Sequence, residues 1–132
     1  VAAGALPLSP PTRGVLGRDG DFLLPMELTA PGQIEAAGKA YREATRQDPA
    51  MASAWYNLAD VQEEQGRIDD AVESLQTALK ASPSFADAHF NLALCYEKRA
   101  QWREARHHWE AYLRADGSSQ WAKIARRHLA GR

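Results

Sequence analysis

Between residues 52 and 115, apolar side chains recur every three to four positions in four successive blocks. Each block is closed by residues that a helix tolerates poorly. From Ala52 to Gln65 the apolar positions are Trp55, Leu58, Ala59 and Val61, the spacing of one helix face. Gly66 follows, placed as a helix-ending glycine is. From Ile68 to Ala81, the residues Ala71, Val72, Leu75, Ala78 and Leu79 share a face. Asp69 and Asp70 occupy the first turn, where a carboxylate suits the positive end of the helix dipole. Ser82-Pro83 ends the block, because proline cannot continue a helix and biases its predecessor away from one. The plan then repeats from Ala86 to Arg99 and from Trp102 to Ala115, and Asp116-Gly117-Ser118 closes it.

The blocks are copies of one another at a spacing of 34 residues. Gly32, Gly66 and Ala100 fall in register, as do Ile34, Ile68 and Trp102; Ala37, Ala71 and Ala105; Tyr41, Leu75 and Trp109; and Ala44, Ala78 and Tyr112. In the front helices Trp55/His89, Asn57/Asn91, Leu58/Leu92 and Ala59/Ala93 match at the same offset, and Pro49, Pro83 and Gly117 end the units. A fixed period of this length marks a stack of helix hairpins. The sizes have a steric reason: Ala59, Ala71, Ala93 and Ala105 sit where helices cross closely, and Leu58, Leu75, Leu92 and Trp109 fill the space beside them. A single hairpin cannot bury its own apolar face, whereas stacked neighbours can.

Trp55-x2-Leu58-Ala59, Ala71-x3-Leu75, Ala78 and Pro83 resemble the tetratricopeptide repeat, with Ala in place of its Gly and Gln62 in place of its Tyr. The next unit is similar through Leu92-Ala93-x2-Tyr96, Ala105-x3-Trp109 and Tyr112, with His89 for the Trp and Gly117 for the Pro. The resemblance covers residues 32–117. It implies an all-α superhelix of helix hairpins: full repeats at 52–83 and 86–117, a half-repeat at 32–48 and a capping helix at 118–130. Residues 1–31 stand apart as a short non-helical N-terminal tail and arm.

The ends depart from the repeat. Pro25 and Pro31 prevent a full partner helix ahead of residues 32–48, so the exposed face of the half-repeat needs a cover, for which Val15 to Leu28 is the candidate. Within it, Arg18-Asp19-Gly20 lies between Val15-Leu16 and Phe22-Leu23-Leu24, a turn signal that predicts a small β-hairpin near 15–24. Residues 1–14, rich in Pro, Gly and Ala, read as a linker. Exchange of the arm between two copies, or contact through the half-repeat, would give a homodimer. At the other end, Ser118-Ser119-Gln120 caps a helix over Trp121 to Leu129, with Trp121, Ile124, Ala125 and Leu129 inward.

In tetratricopeptide proteins the first helix of each pair lines the concave face, and the resemblance transfers its groove positions to Ser53, Tyr56, Asn57, Asp60, Glu63 and Glu64, then Asp87, Phe90, Asn91, Leu94, Glu97 and Lys98. Asn57 and Asn91 could each donate to and accept from a peptide backbone, or equally bond a neighbouring helix or water. Tyr56 and Phe90 offer apolar area, or pack within the array. Some family members grip acidic chaperone tails with a two-carboxylate clamp of Lys and Arg. Here Ser53, Tyr56, Asp60, Asp87 and Asn91 stand at the matching positions, which implies a protein or peptide ligand with apolar and basic groups instead.

Composition and charge refine this picture. Residues 1–97 carry seven basic against fourteen acidic residues and residues 98–132 carry nine against three, so the chain is polarised end to end although its net charge is −1. Chance segregation on solvated faces is the simpler account. Docking of the basic end on an acidic surface, a second copy included, is the sharper one. Cys95 is the only cysteine, which excludes an intrachain disulfide and a thiolate metal site and leans towards a reducing, cytoplasmic setting. The chain begins at Val1, as an excised or processed chain would, and whether an export signal has been removed stays open. No apolar run approaches a membrane span.

Adjacent His107 and His108 point to different faces and chelate one metal poorly. Glu104 and His108, one turn apart, suit a surface salt bridge. No nucleophile–base set, phosphate loop or paired carboxylate site is visible, so no enzyme, metal or cofactor is expected. Arg99, Arg103, Arg106, Arg114, Lys123, Arg126 and Arg127 form a basic flank without a groove-reading motif, and direct nucleic-acid binding is not expected. Two function classes remain. One is a protein interaction module. The other is a regulatory or dimerising domain of a transcriptional regulator whose DNA-binding part lies elsewhere. The latter is suggested because Trp121-Ala122-Lys123-Ile124-Ala125-Arg126-Arg127, after a strand-rich segment and repeats, resembles the C-terminal part of some bacterial MerR-type regulators.

Overall fold

The computed structural model describes residues 15–16, 22–23 and 31–131, and within them the chain is an all-α superhelix of hairpins preceded by a short strand pair. β1 (Val15–Leu16) and β2 (Phe22–Leu23) pair antiparallel, Val15 opposite Leu23 and Leu16 opposite Phe22. Six helices follow: α1 (Pro31–Gln47), α2 (Ala52–Glu64), α3 (Ile68–Ala81), α4 (Ala86–Lys98), α5 (Trp102–Ala115) and α6 (Gln120–Ala130). The rest of the expected arm and the linker over 1–14 lie outside the described residues, as does any cover that the arm provides for α1.

Each helix packs on the next along the chain, as α-hairpin stacks require. The main core joins α2 to α6. Ala59, Ala71, Leu75, Ala78, Leu92 and Ala93 are fully buried in it, and Ala105 and Trp109 nearly so. The small residues thus sit at the close crossings and the large ones beside them. A second cluster, Tyr41, Leu58 and Val61, fixes α1 to α2 with Ile34 and Ala37 packed against it. Gly38 lies at a close approach of these two helices, since a Cβ there would lie 3.2 Å from Val61 Cγ1.

The turns show how one plan is executed by different residues. Gly66 ends the α2 segment at φ +76°, and Ala100, its equivalent after α4, is held at φ +57° despite its side chain. Gly32 keeps the 34-residue register but lies inside α1. Trp55 Nε1 donates to the Pro49 carbonyl at 2.9 Å. Its counterpart His89 meets the Pro83 carbonyl through Nε2 at 3.0 Å, so the imidazole reproduces the indole's bond. A carbonyl only accepts, so His89 carries its proton on Nε2 and accepts at Nδ1 from His108 Nδ1, 2.9 Å away. Burial lowers the affinity of both rings for a second proton, His108 down to about 4. The expected Glu104–His108 pair does not form, because His108 turns inward between His89 and the Tyr96 ring and Glu104 accepts from Gln101.

At the C-terminal end Gly117 stands where the earlier units have proline, and Asp116 before it organises the turn. Its carboxylate accepts from Tyr112 Oη at 2.7 Å and from the backbone N–H groups of Ser118 and Ser119 at 3.3 and 3.2 Å. The Ser119 hydroxyl also donates to Asp116 and caps α6 by accepting from the Ala122 N–H. Ala122 and Ala125 are buried, with Trp121, Ile124 and Leu129 partly covered around them. Phe90 is held edge-on by Trp109, Tyr112 and Trp121, so α6 seals the end of the core.

Candidate functional site

Helices α2 and α4 present equivalent faces to one another, and side chains join them. Asn91 Nδ2 on α4 donates to Asp60 Oδ1 on α2 at 3.3 Å. Lys98 Nζ lies 3.5 Å from Glu63 Oε1, and the Cys95 thiol bonds Glu63 as well. Asn57, Asp60 and Glu64 follow at i, i+3 and i+7 on one stripe of α2. The face is therefore a polar floor centred on Asp60, built by residues one repeat apart.

Its hydrogen bonding is incomplete. Asn57 and Asn91 are both fully buried, yet Asn57 Nδ2, Asn57 Oδ1 and Asn91 Oδ1 have no partner among the described residues. Buried amides without partners are rare, since each loses hydration without replacement. Asn91 bonds the neighbouring helix α2 at Asp60 and at the Tyr56 side chain.

The floor is also strongly acidic. Burial first, then the charges of Glu63, Glu64 and Asp87, push the Asp60 carboxyl up to about 8, so it holds a proton at neutral pH. Burial raises Glu63 too, and the nearby Lys98 ammonium offsets part of this. The Cys95 thiol is pushed far above its ordinary range by burial and by Glu63, which leaves it an unreactive neutral donor. Tyr41, reached from α1, rises to about 12 through burial and the Asp60 charge.

Several expected groove residues are placed elsewhere. Tyr56 and Phe90 are fully buried: Tyr56 packs its ring against Phe85 at 5.2 Å and Phe90 lies at the centre of the aromatic group under α6. Their rings are enclosed in the core, although the Tyr56 hydroxyl, its pKa raised first by burial, still lies close enough to Asp60, Asp87 and Glu63 for their charges to raise it further. Glu97 is spent inside the fold, accepting from Trp109 Nε1 at 2.8 Å and pairing with His128 Nδ1 at 2.9 Å. Leu94 packs against the core edge. Ser53, Asp60, Glu63 and Asp87 are half-buried, and Glu64 and Lys98 are exposed, so these and the two Asn side chains compose the face. Sequence reasoning missed Tyr41 and Cys95 as its neighbours. Their only signal was a place on α1 and α4 within reach of the stripe.

Among the described residues no group of three or more His, Cys, Asp or Glu side chains is placed to hold a metal ion. No helix among them is long and apolar enough to cross a membrane.

Tetratricopeptide repeat models match residues 30–84 and 63–127, together well over half of the 132 residues. No curated protein matches the chain. Similar solved structures include the Arabidopsis OM64 TPR domain, at TM-score 0.69 and 21% identity over 76% of this chain and 83% of that one. The first TPR of Spaghetti (RPAP3), bound to the HSP90 peptide SRMEEVD, superposes at TM-score 0.69 and 16% identity over 76% of this chain and 82% of that one. The Yersinia enterocolitica type III secretion chaperone SycD, in complex with a peptide of the translocator YopD, gives 0.66 and 16% over 75% and 76%. At these identities the likeness is one of fold.

Proposed function

Because the chain belongs to the tetratricopeptide repeat family, we propose that it is a non-catalytic protein interaction module that holds a peptide or partner helix against the α2–α4 face. The observation that carries this reading is the pair Asn57 and Asn91: equivalent positions, fully buried, with three amide atoms lacking partners among the described residues. A peptide backbone offers the N–H and C=O groups that would complete them. Peptides are bound to the solved neighbours SycD and Spaghetti, which supports the class of ligand without naming this one. The acidic floor favours a ligand with basic groups, and the half-buried Leu94 edge adds a little apolar area.

The test is a comparison of partners captured by the wild-type chain and by the Asn57→Ala/Asn91→Ala double variant, each checked for intact helical content. Loss of specific partners in the folded variant supports the face. An unchanged set removes it.

The second reading, a dimerising or regulatory domain of a transcriptional regulator, draws on the strand pair ahead of α1 and on the α6 sequence. None of the matches named above is a transcriptional regulator, and we carry that reading no further.

A further inference from the structure

The geometry points to a specific occupant for the centre of this face: we propose that Asp60 and the Asn57 and Asn91 side chains beside it form a subsite for one basic side chain, a guanidinium or an ammonium, of an extended peptide. The inference rests on the groove reading above and adds to it the residue class that the centre selects.

Three observations converge. Asp60 accepts a hydrogen bond from Asn91 Nδ2, but no cationic side chain among the described residues pairs with it. Lys98 is engaged by Glu63 at 3.5 Å. The amide atoms without partners, two on Asn57 one turn before Asp60 on α2 and one on Asn91 that bonds Asp60 through Nδ2, include two carbonyl oxygens. A carboxylate with two amide oxygens is an acceptor set, and its complement is a multi-donor cation such as the guanidinium fork. Further acidic groups act on the site: Glu63 and Glu64 share the helix with it, and Asp87 lies on α4. An acidic ligand residue would be repelled here, and a neutral one would leave the acceptors unmet.

The neighbours also fix how the charge is handled. Tyr56 on α2, Cys95 on α4 and Tyr41 on α1 face Asp60 as neutral groups, each held protonated by burial. Asp60 is therefore the group that changes charge near neutrality. On arrival of the cation its O–H bond breaks, the proton leaves to solvent and the carboxylate pairs with the guanidinium. Binding then releases close to one proton at pH 7 and tightens by up to about tenfold per pH unit between pH 6.5 and 7.5.

The experiment uses the full chain, labelled with 15N, and three degenerate heptapeptide libraries whose central residue is fixed as Arg, Gln or Glu. The side-chain amide signals of Asn57 and Asn91 report binding. The expected result is that the Arg library shifts both amides at least tenfold more effectively than the Gln library and that the Glu library is weakest. The Arg advantage should grow from pH 6.5 to 7.5 and disappear in Asp60→Asn. Equal effects of all three libraries, or a preference for Glu, would overturn the cation subsite while leaving the groove standing. Failure of every library to move either amide would overturn the groove reading and the subsite together.

Discussion

Replacing Asp60 by Asn should stabilise the fold, and more so as pH rises. The carboxyl ionises near pH 8 in the folded chain against an ordinary 3.8. The folded state thus keeps a proton that the unfolded chain has already released, and stability must fall as pH climbs from about 4 to 8. At ~1.4 kcal/mol per unit, the full cost above pH 8 has a ceiling of ~6 kcal/mol. Asp60 is largely but not completely buried, so this figure is an upper bound. Asn keeps the acceptor for Asn91 Nδ2 and never ionises. The assay is guanidinium unfolding of both proteins at pH 6.5, 7.5 and 8.5, at constant salt. In that window the lowered His89 and His108 add a weaker slope of opposite sign, since an unfolded imidazole is still about half protonated at pH 6.5, and this slope is common to both proteins. Wild type should lose about 1 kcal/mol across the window, whereas Asp60→Asn should lose much less, keeping only the opposed drifts of Glu63 and the two histidines. Parallel profiles, or a variant less stable than wild type at pH 8.5, would refute the assignment of a buried, protonated Asp60.

Other consequences are as direct. The turn glycine and its alanine counterpart should respond in opposite senses: Gly66→Ala is expected to cost about 1 kcal/mol and Ala100→Gly to gain up to about 1 kcal/mol, because both positions hold positive φ, as thermal melts would show. Below pH 6.5 an opposing contribution sets in: His108, held down to about 4, stays neutral in the fold while the unfolded chain takes up a proton, so His108→Phe should be more stabilised by acid than wild type in the same denaturation series. Trp109→Ala should cost about 3–5 kcal/mol, since the indole is buried and also bonds Glu97. Calorimetry should show that loss as a fall in midpoint with α6 loosened.

The 34-residue register and the sizes within it made the hairpin stack legible, because close helix crossings force small residues to recur and a repeated core forces large ones to recur beside them. Ala71 and Leu75 are enough to place α3 against α2. The site was legible only in outline. Tyr56 and Asn57 are neighbours in sequence, and periodicity alone does not say which of them meets the next repeat and which looks across to α4. The sheltered place of Phe90 depends on Trp121, 31 positions later, and Glu97 is withdrawn by His128 at the same separation. Such long-range partners leave no mark in a local pattern. In sequence the exchange of Trp55 for His89 is only a change of aromatic ring. Its meaning, a conserved bond to the carbonyl of Pro49 or Pro83, required the geometry.

Whether the α2–α4 face is the surface that meets a partner can be tested most directly by site-specific photo-crosslinking in living cells. A photoreactive residue placed at Ser53 or at Glu64, on the rim of that face, should capture discrete partner adducts. The same residue at Glu73 or Lys80, exposed on α3, should capture none of them. Adducts that arise from α3 and not from Ser53 or Glu64 would contradict the account.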